Sequence, residues 1–136
     1  MIKSELNPSV IDGKVRRAED WLKQAERALE EAKYAKAGGY YELACFLSQQ
    51  CAEMAAKALL HSKGIERRGH SVSHLLINPP ADVLQCAVSL DKQYTPSRYP
   101  DAYDEGAPFE YYTEKDAEDC IRCAETILNW VKGQLK

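Results

Sequence analysis

The stretch Tyr40-Tyr41-Glu42-Leu43-Ala44-Cys45-Phe46-Leu47-Ser48-Gln49-Gln50-Cys51-Ala52-Glu53-Met54-Ala55-Ala56-Lys57-Ala58-Leu59-Leu60-His61-Ser62-Lys63, closed by Gly64, decides the fold. Tyr40, Ala44, Leu47, Cys51, Met54, Ala58 and Leu59 recur at helical intervals, the spacing of one helix face. Phe46, Ala52, Ala55, Ala56 and Leu60 widen that line beyond a single stripe. A helix that is apolar on several sides belongs at the centre of a helical protein.

Upstream, the spacing predicts a long helix from about Pro8 to Ala37. Val15, Ala18, Leu22, Ala25, Leu29 and Ala32 draw its buried stripe, and Lys23, Gln24, Glu26, Arg27, Glu30 and Glu31 its solvent face. Gly38-Gly39 ends it, because glycine accepts the left-handed backbone that closes a helix. Two long helices joined by so short a turn pack antiparallel.

Downstream, Ile65 to Ser73 reads as a polar connection, with Ser71 or Ser73 capping a short helical segment at His74-Leu75-Leu76-Ile77. Asn78-Pro79-Pro80 breaks that segment, and Pro80 suits the first turn of a third main helix carrying Val83, Leu84, Ala87, Val88 and Leu90. Gln93 to Tyr112 has no helical period, and a loop of that length inside a compact domain is uncommon. It holds Tyr94, Tyr99, Tyr103, Phe109, Tyr111 and Tyr112, so we expect it to be pinned down by aromatic anchors. Thr113 with Asp116 three residues on opens the last helix, and Ala117, Cys120, Ile121, Ala124, Ile127, Leu128, Val131 and Leu135 give its buried face. The expected architecture is all-α, over residues 1–136 as a single domain. It has four main helices in a bundle, an extra short helix, and a long aromatic loop before the last helix.

With 45% hydrophobic and 29% charged residues among 136, the composition is that of a globular protein, not a disordered one. No apolar run reaches the length of a membrane span, and Met1 to Leu6 contains no apolar signal region, so the expected location is the cytoplasm. The formal charge of −3 argues against coating of nucleic acid by general phosphate neutralisation, which asks for a basic excess. A local site stays open: Lys63, Arg67 and Arg68, with His61, His70 and His74 around them, form a compact basic cluster. It is either a solvated helix end or a phosphate contact. The five cysteines, an odd number, are expected to be reduced packing thiols. Cys120-Ile121-Arg122-Cys123 sits in helical sequence without a matching second pair, and disulfides inside cells belong mainly to hyperthermophiles.

Two polar segments stand out. Gln50, Glu53 and Lys57 line one face of the central helix, with Glu53 and Lys57 at the favourable spacing of four. They form either a structural polar seam or a ligand or subunit contact. In Tyr94-Thr95-Pro96-Ser97-Arg98-Tyr99-Pro100-Asp101-Ala102-Tyr103, Arg98 lies between two prolines. An arginine held this way can clamp a carboxylate or phosphate; it can also pair internally with Asp101 or Glu53. His70 and His74 are four apart without a third clear ligand, so no metal site is expected. No phosphate-cradling glycine loop or nucleophile elbow is present, and no cofactor is expected.

Gln50-Cys51-Ala52-Glu53 leading to Lys57 within Ala44–Leu60, then Gly64, His74-Leu75 and Tyr94-Thr95-Pro96-Ser97-Arg98-Tyr99-Pro100-Asp101, together resemble the HEPN domain family over about Val15 to Val131. The resemblance implies an up-down four-helix bundle, commonly a homodimer. It also implies nucleotide binding and a small nucleotidyltransferase partner in a toxin–antitoxin-like pair. Some members of the family are metal-independent ribonucleases that use an arginine followed, after four to six residues, by a histidine. Here Arg98 is followed after four residues by Tyr103, a poor acid–base group at neutral pH beside histidine. Arg68 or Arg67 with His74 fits the spacing in a different connection. The expectation is therefore a non-catalytic nucleotide- or RNA-binding subunit, with Gln50, Glu53, Lys57, Arg98, Tyr99 and Asp101 at its ligand site. The alternatives are a ribonuclease working through Arg68 and His74 or Arg98 and Tyr103, and a purely structural assembly module.

Overall fold

The structure, a computed structural model, describes the backbone of residues 8–136 and the side chains of residues 17–136. Its elements run α1 (Pro8–Ala37), α2 (Tyr41–Lys63), α3 (Val72–Leu75), α4 (Ala81–Asp91), two 3-10 turns (Pro100–Ala102 and Pro108–Glu110) and α5 (Glu114–Leu135). Among the described residues every regular element is helical. Val15, expected in the buried stripe of α1, lies outside the described side chains.

The turn between α1 and α2 works as its glycines require. Gly39 takes φ 85°, while the N–H of Tyr40 bonds the carbonyl of Ala35 at 2.8 Å and that of Gly39 bonds Lys36 at 3.0 Å. These paired bonds satisfy carbonyls that a helix end otherwise leaves bare. Gly64 (φ 67°) closes α2 in the same manner, with Ile65 bonding back to Leu60 at 3.0 Å.

α2 occupies the centre, touching α1, α3, α4 and α5. The apolar contact is rich in alanine: Ala25, Ala28 and Ala32 of α1, and Ala44, Ala52, Ala55, Ala56 and Ala58 of α2, are all buried. Small side chains let the helix axes approach closely, leaving no room for larger ones. Ala28→Leu is therefore expected to destabilise the protein by about 1–3 kcal/mol through overpacking. Urea unfolding checks this; an unchanged midpoint would mean the interface is loose.

Three expectations need adjustment. The short helix starts at Val72, not at His74: Ser71, one of the two expected caps, accepts from the His74 N–H at 3.4 Å, and the Asp91 carboxylate accepts from the backbone N–H of Val72 (2.5 Å) and Ser73 (3.3 Å), which together fix the turn earlier. Within the aromatic loop Tyr103 stacks on Tyr111 (4.2 Å between ring centres) and the Tyr112 hydroxyl donates to the Gln93 side chain at 2.5 Å, while Tyr94 meets Phe46 of α2 (6.4 Å between ring centres) and Tyr112 packs against the buried core. Phe109, however, stays 64% exposed and anchors nothing inward. The cysteines are not all free: Cys86 of α4 and Cys123 of α5 form a disulfide with a Cα–Cα separation of 4.9 Å. The remaining thiols, Cys45, Cys51 and Cys120, are buried. Burial pushes the Cys51 thiol up to about 12, and the hydrogen bond with Cys120, then burial, pushes Cys45 up too.

The expected opening of the last helix is present in full. Thr113 Oγ1 accepts from the Asp116 N–H at 3.2 Å, and the Asp116 carboxylate accepts from the Thr113 N–H at 2.8 Å. Thr113→Ala is expected to cost about 1 kcal/mol, read as a lower unfolding midpoint. An equal midpoint would leave the cap without energetic weight.

Candidate functional site

Glu53 is the unusual residue of α2: a carboxylate only 6% exposed. A buried charge is costly unless paired and hydrogen-bonded, and four neighbours supply that. Lys57 Nζ sits 3.0 Å from Oε2. Gln49 Nε2 lies 3.3 Å from Oε1, and Gln50 Nε2 lies 3.4 Å from the same oxygen. His70 presents Nδ1 at 3.2 Å from both oxygens. Facing a carboxylate, that nitrogen carries the proton. Gln49 also donates to the His70 carbonyl at 3.0 Å, and its own carbonyl accepts from Gln50 at 2.7 Å. The connection after α2 is thereby tied back to the helix.

From His70 the arrangement continues as a stack. Its ring lies on Tyr94 with centres 4.6 Å apart and planes 16° from parallel. The Arg98 guanidinium lies over Tyr94 (4.5 Å), Phe46 (4.4 Å) and Tyr99 (4.7 Å), where the negative ring faces attract a cation. Arg98 Nε donates to the Tyr94 carbonyl at 2.9 Å. Neither Asp101 nor Glu53 is its ion-pair partner. Phe46 belongs to α2, so the loop is braced against the central helix through an aromatic contact, not a salt bridge.

At the other end of the same α2 face, Lys57 Nζ stands 5.6 Å from the centre of the Trp21 ring, which stacks on His61 at 5.5 Å. These residues border an open groove of about 630 Å³ that also includes Arg67 and Arg68. Arg67 is committed to structure, donating to the carbonyls of His74 (3.0 Å) and Leu76 (3.3 Å). Arg68 is exposed within the groove.

The structure thus gathers Gln50, Glu53 and Lys57 into one network, and places Arg98 with Tyr99 in the adjoining stack. Asp101 is exposed in the first 3-10 turn, away from these hydrogen bonds. Tyr103 donates its hydroxyl to the Pro96 carbonyl at 2.9 Å, so the polar atoms of Arg98 and Tyr103 take separate partners. His74 is exposed on α3, where its backbone, not its ring, holds Arg67. Sequence reasoning did not assign Gln49, Phe46, Tyr94, His70 or Trp21 to this site. Phe46, Gln49, Glu53 and Lys57 follow one another at steps of three and four, so a helical wheel centred on Glu53 finds the first two. Among the described residues, no group of three or more His, Cys, Asp or Glu side chains is gathered in a way that could hold a metal ion, and no helix is long and apolar enough to cross a membrane.

Fold and site define an all-helical protein with a polar, aromatic-flanked face on its central helix. The sequence profile of the HEPN domain matches residues 18–134, and the chain belongs to the HEPN domain family. It is 33% identical over 137 residues to a Methanocaldococcus jannaschii protein named "Putative toxin MJ1304", covering 90% of each chain. Among solved structures it resembles ST0689, an archaeal HEPN homologue, with 77% identity and a TM-score of 0.81 over 88% of this chain and 98% of that one. TT1696 from Thermus thermophilus gives 40% identity and a TM-score of 0.85 over the same shares. A HEPN domain protein of Thermotoga maritima gives 31% identity and 0.70 over 85% and 97%.

Proposed function

We propose that this chain is the toxin-type, nucleotide- or RNA-binding subunit of a two-protein system. In this reading it is a single-domain cytoplasmic homodimer, paired with a small nucleotidyltransferase and without catalytic activity of its own. Arg98 carries the proposal. Its guanidinium is positioned by three aromatic rings and one backbone carbonyl, and among the described residues no carboxylate is paired with it. A cation fixed this way is pre-arranged for a phosphate. Tyr99, about half exposed, offers a ring beside it, and the Glu53 network keeps the supporting Tyr94 in place through His70. The toxin assignment is supported by the name of the Methanocaldococcus relative. The absence of activity is supported by Tyr103, whose hydroxyl is engaged with a backbone carbonyl within its own loop.

Titration calorimetry with a mononucleotide (UMP) and a short RNA tests the siting. Arg98→Ala is expected to weaken both by about tenfold or more, the effect of one lost hydrogen-bonded charge. Arg98→Lys, which keeps the charge without the planar fork, is expected to recover part of the loss. Equal affinities for wild type and Arg98→Ala would place the site elsewhere. Light scattering at micromolar concentration checks the dimer, and co-purification with a co-expressed small nucleotidyltransferase checks the partner. RNA cleavage by the isolated, pure chain would overturn the non-catalytic reading.

A further inference from the structure

α4 is a surface helix held from one side. Of its 11 residues only Val83, Ala87 and Leu90 are buried, and Leu84 and Val88 lie bare on its outer face. Three side chains, one of them an alanine, bury little apolar area, and a helix held so lightly opens locally at low cost. Yet its C-terminal end carries much of what shapes the candidate site. The Asp91 carboxylate holds the backbone N–H groups of Val72 and Ser73, and accepts from the Ser73 hydroxyl at 2.6 Å. The Gln93 carbonyl accepts from the Ser97 hydroxyl at 2.5 Å, and the Gln93 side chain accepts from Tyr112. Tyr94, the next residue, carries both the His70 ring and the Arg98 guanidinium. What fixes this helix beyond its three buried side chains is the Cys86–Cys123 disulfide, which joins the middle of α4 to α5.

The bond lies within reach of a reagent in solution. Cys86 and Cys123 are half-buried, whereas the three free thiols are buried. Cys123 borders an open hollow of about 320 Å³ together with Ser89, Gln93 and Cys120. Disulfides that an incoming thiolate can reach are the labile and regulatory ones. Resting on the nucleotide-binding reading above, we propose that this disulfide is a redox-operated clamp on the Arg98 loop. Closed, it holds α4 and the loop in binding geometry. Opened by a dithiol reductant, it lets both loosen, and the ligand is released. In the opening step a thiolate of the dithiol attacks the Sγ of Cys123 through the hollow. The Cys86–Cys123 bond breaks, and Cys86 departs as a thiolate that takes a proton from water. The second thiol of the reductant, as its thiolate, then attacks the mixed disulfide and releases Cys123, which is protonated in turn. The dithiol leaves as a disulfide, and its two electrons, with two protons, end on the two cysteines.

The test uses the full chain in its oxidised form, the same chain after millimolar dithiothreitol, and Cys86→Ser with Cys123→Ser as a permanently open form. Alkylation followed by mass spectrometry is expected to show two new thiols in the native chain within minutes, without denaturant. In the ligand-free protein, amide exchange is expected to quicken at residues 71–75 and 92–99 on opening and to stay unchanged at the centre of α2. UMP is expected to bind the open forms about tenfold more weakly, as when the binding-competent loop falls to about a tenth of the population. Reoxidation with oxidised glutathione is expected to restore the affinity of the wild-type chain, and the double variant to stay weak with or without reductant. A disulfide that opens only in denaturant, reduction that unfolds the whole chain, unchanged exchange at residues 92–99, or equal UMP affinity in both redox states would each overturn the clamp and leave a structural staple. UMP bound by neither form would instead remove the nucleotide-binding reading, and exchange at residues 92–99 would still decide whether the disulfide holds the loop.

Discussion

Glu53→Ala is expected to lower the stability of the protein by about 3 kcal/mol, the low end for breaking a buried ion pair. The carboxylate is acceptor to Lys57, Gln49, Gln50 and His70 at once. Its removal strands a lysine whose side chain is only 20% exposed and a glutamine that is fully buried. The low end applies because Lys57 can swing toward water and His70 is already more than half exposed. The damage is expected to travel: His70 would lose its tether, Tyr94 its stacking partner, and the Arg98 loop part of its platform. Glu53→Gln keeps the shape and an acceptor, and is expected to lose less. Urea unfolding measures the first effect, and amide exchange at residues 65–70 and 94–99 the second. A loss below about 1 kcal/mol would show that surface-like pairing, not a buried network, describes these contacts.

Reducing the Cys86–Cys123 disulfide, or removing it by Cys86→Ser with Cys123→Ser, is expected to cost about 4 kcal/mol. A cross-link spanning 37 residues restricts the unfolded chain by roughly that amount in the chain-entropy account. For a protein of this size the melting temperature is then expected to drop by on the order of 10 °C. Thiol titration gives an independent check. Cys45, Cys51 and Cys120 are buried, and the raised Cys45 and Cys51 thiols stay protonated at neutral pH; the thiolate is the reactive form. The native protein is expected to show no fast-reacting thiol. The unfolded, unreduced chain should show three, and the reduced chain five. Five thiols without reductant would contradict the cross-link.

The helices were legible because each carries its own periodic signal and its own stop. α1 and α2 end on glycines that adopt left-handed backbone, and α5 begins on a Thr–Asp cap, so their boundaries follow from local chemistry. α3 starts two residues before the expected His74: of the two caps the sequence offered, Ser71 is the one used, and the choice is supported by Asp91, eighteen to nineteen positions away in sequence, which no local window contains. The disulfide was missed for the same reason. Cys120 and Cys123 are neighbours on a helix, yet Cys123 reaches across to α4, and only tertiary packing chooses between them. For the candidate site, helical spacing united Gln50, Glu53 and Lys57, but nothing in the spacing places His70 against Glu53 or Arg98 over Phe46. Sequence offered Asp101 and Glu53 as ion-pair partners for Arg98; the structure gives it aromatic faces instead, since its loop meets α2 at Phe46.

The central claim is that the face of α2 running from Phe46 to Lys57, with the Arg98 loop laid against it, is where nucleotide or RNA binds. Amide chemical-shift mapping of the isotope-labelled protein with a short RNA tests it most directly. The account predicts perturbations concentrated at residues 46–57, 70 and 94–99. Perturbations centred instead on the exposed Tyr34 and Leu43 near the α1–α2 turn, or none at millimolar RNA, would contradict it.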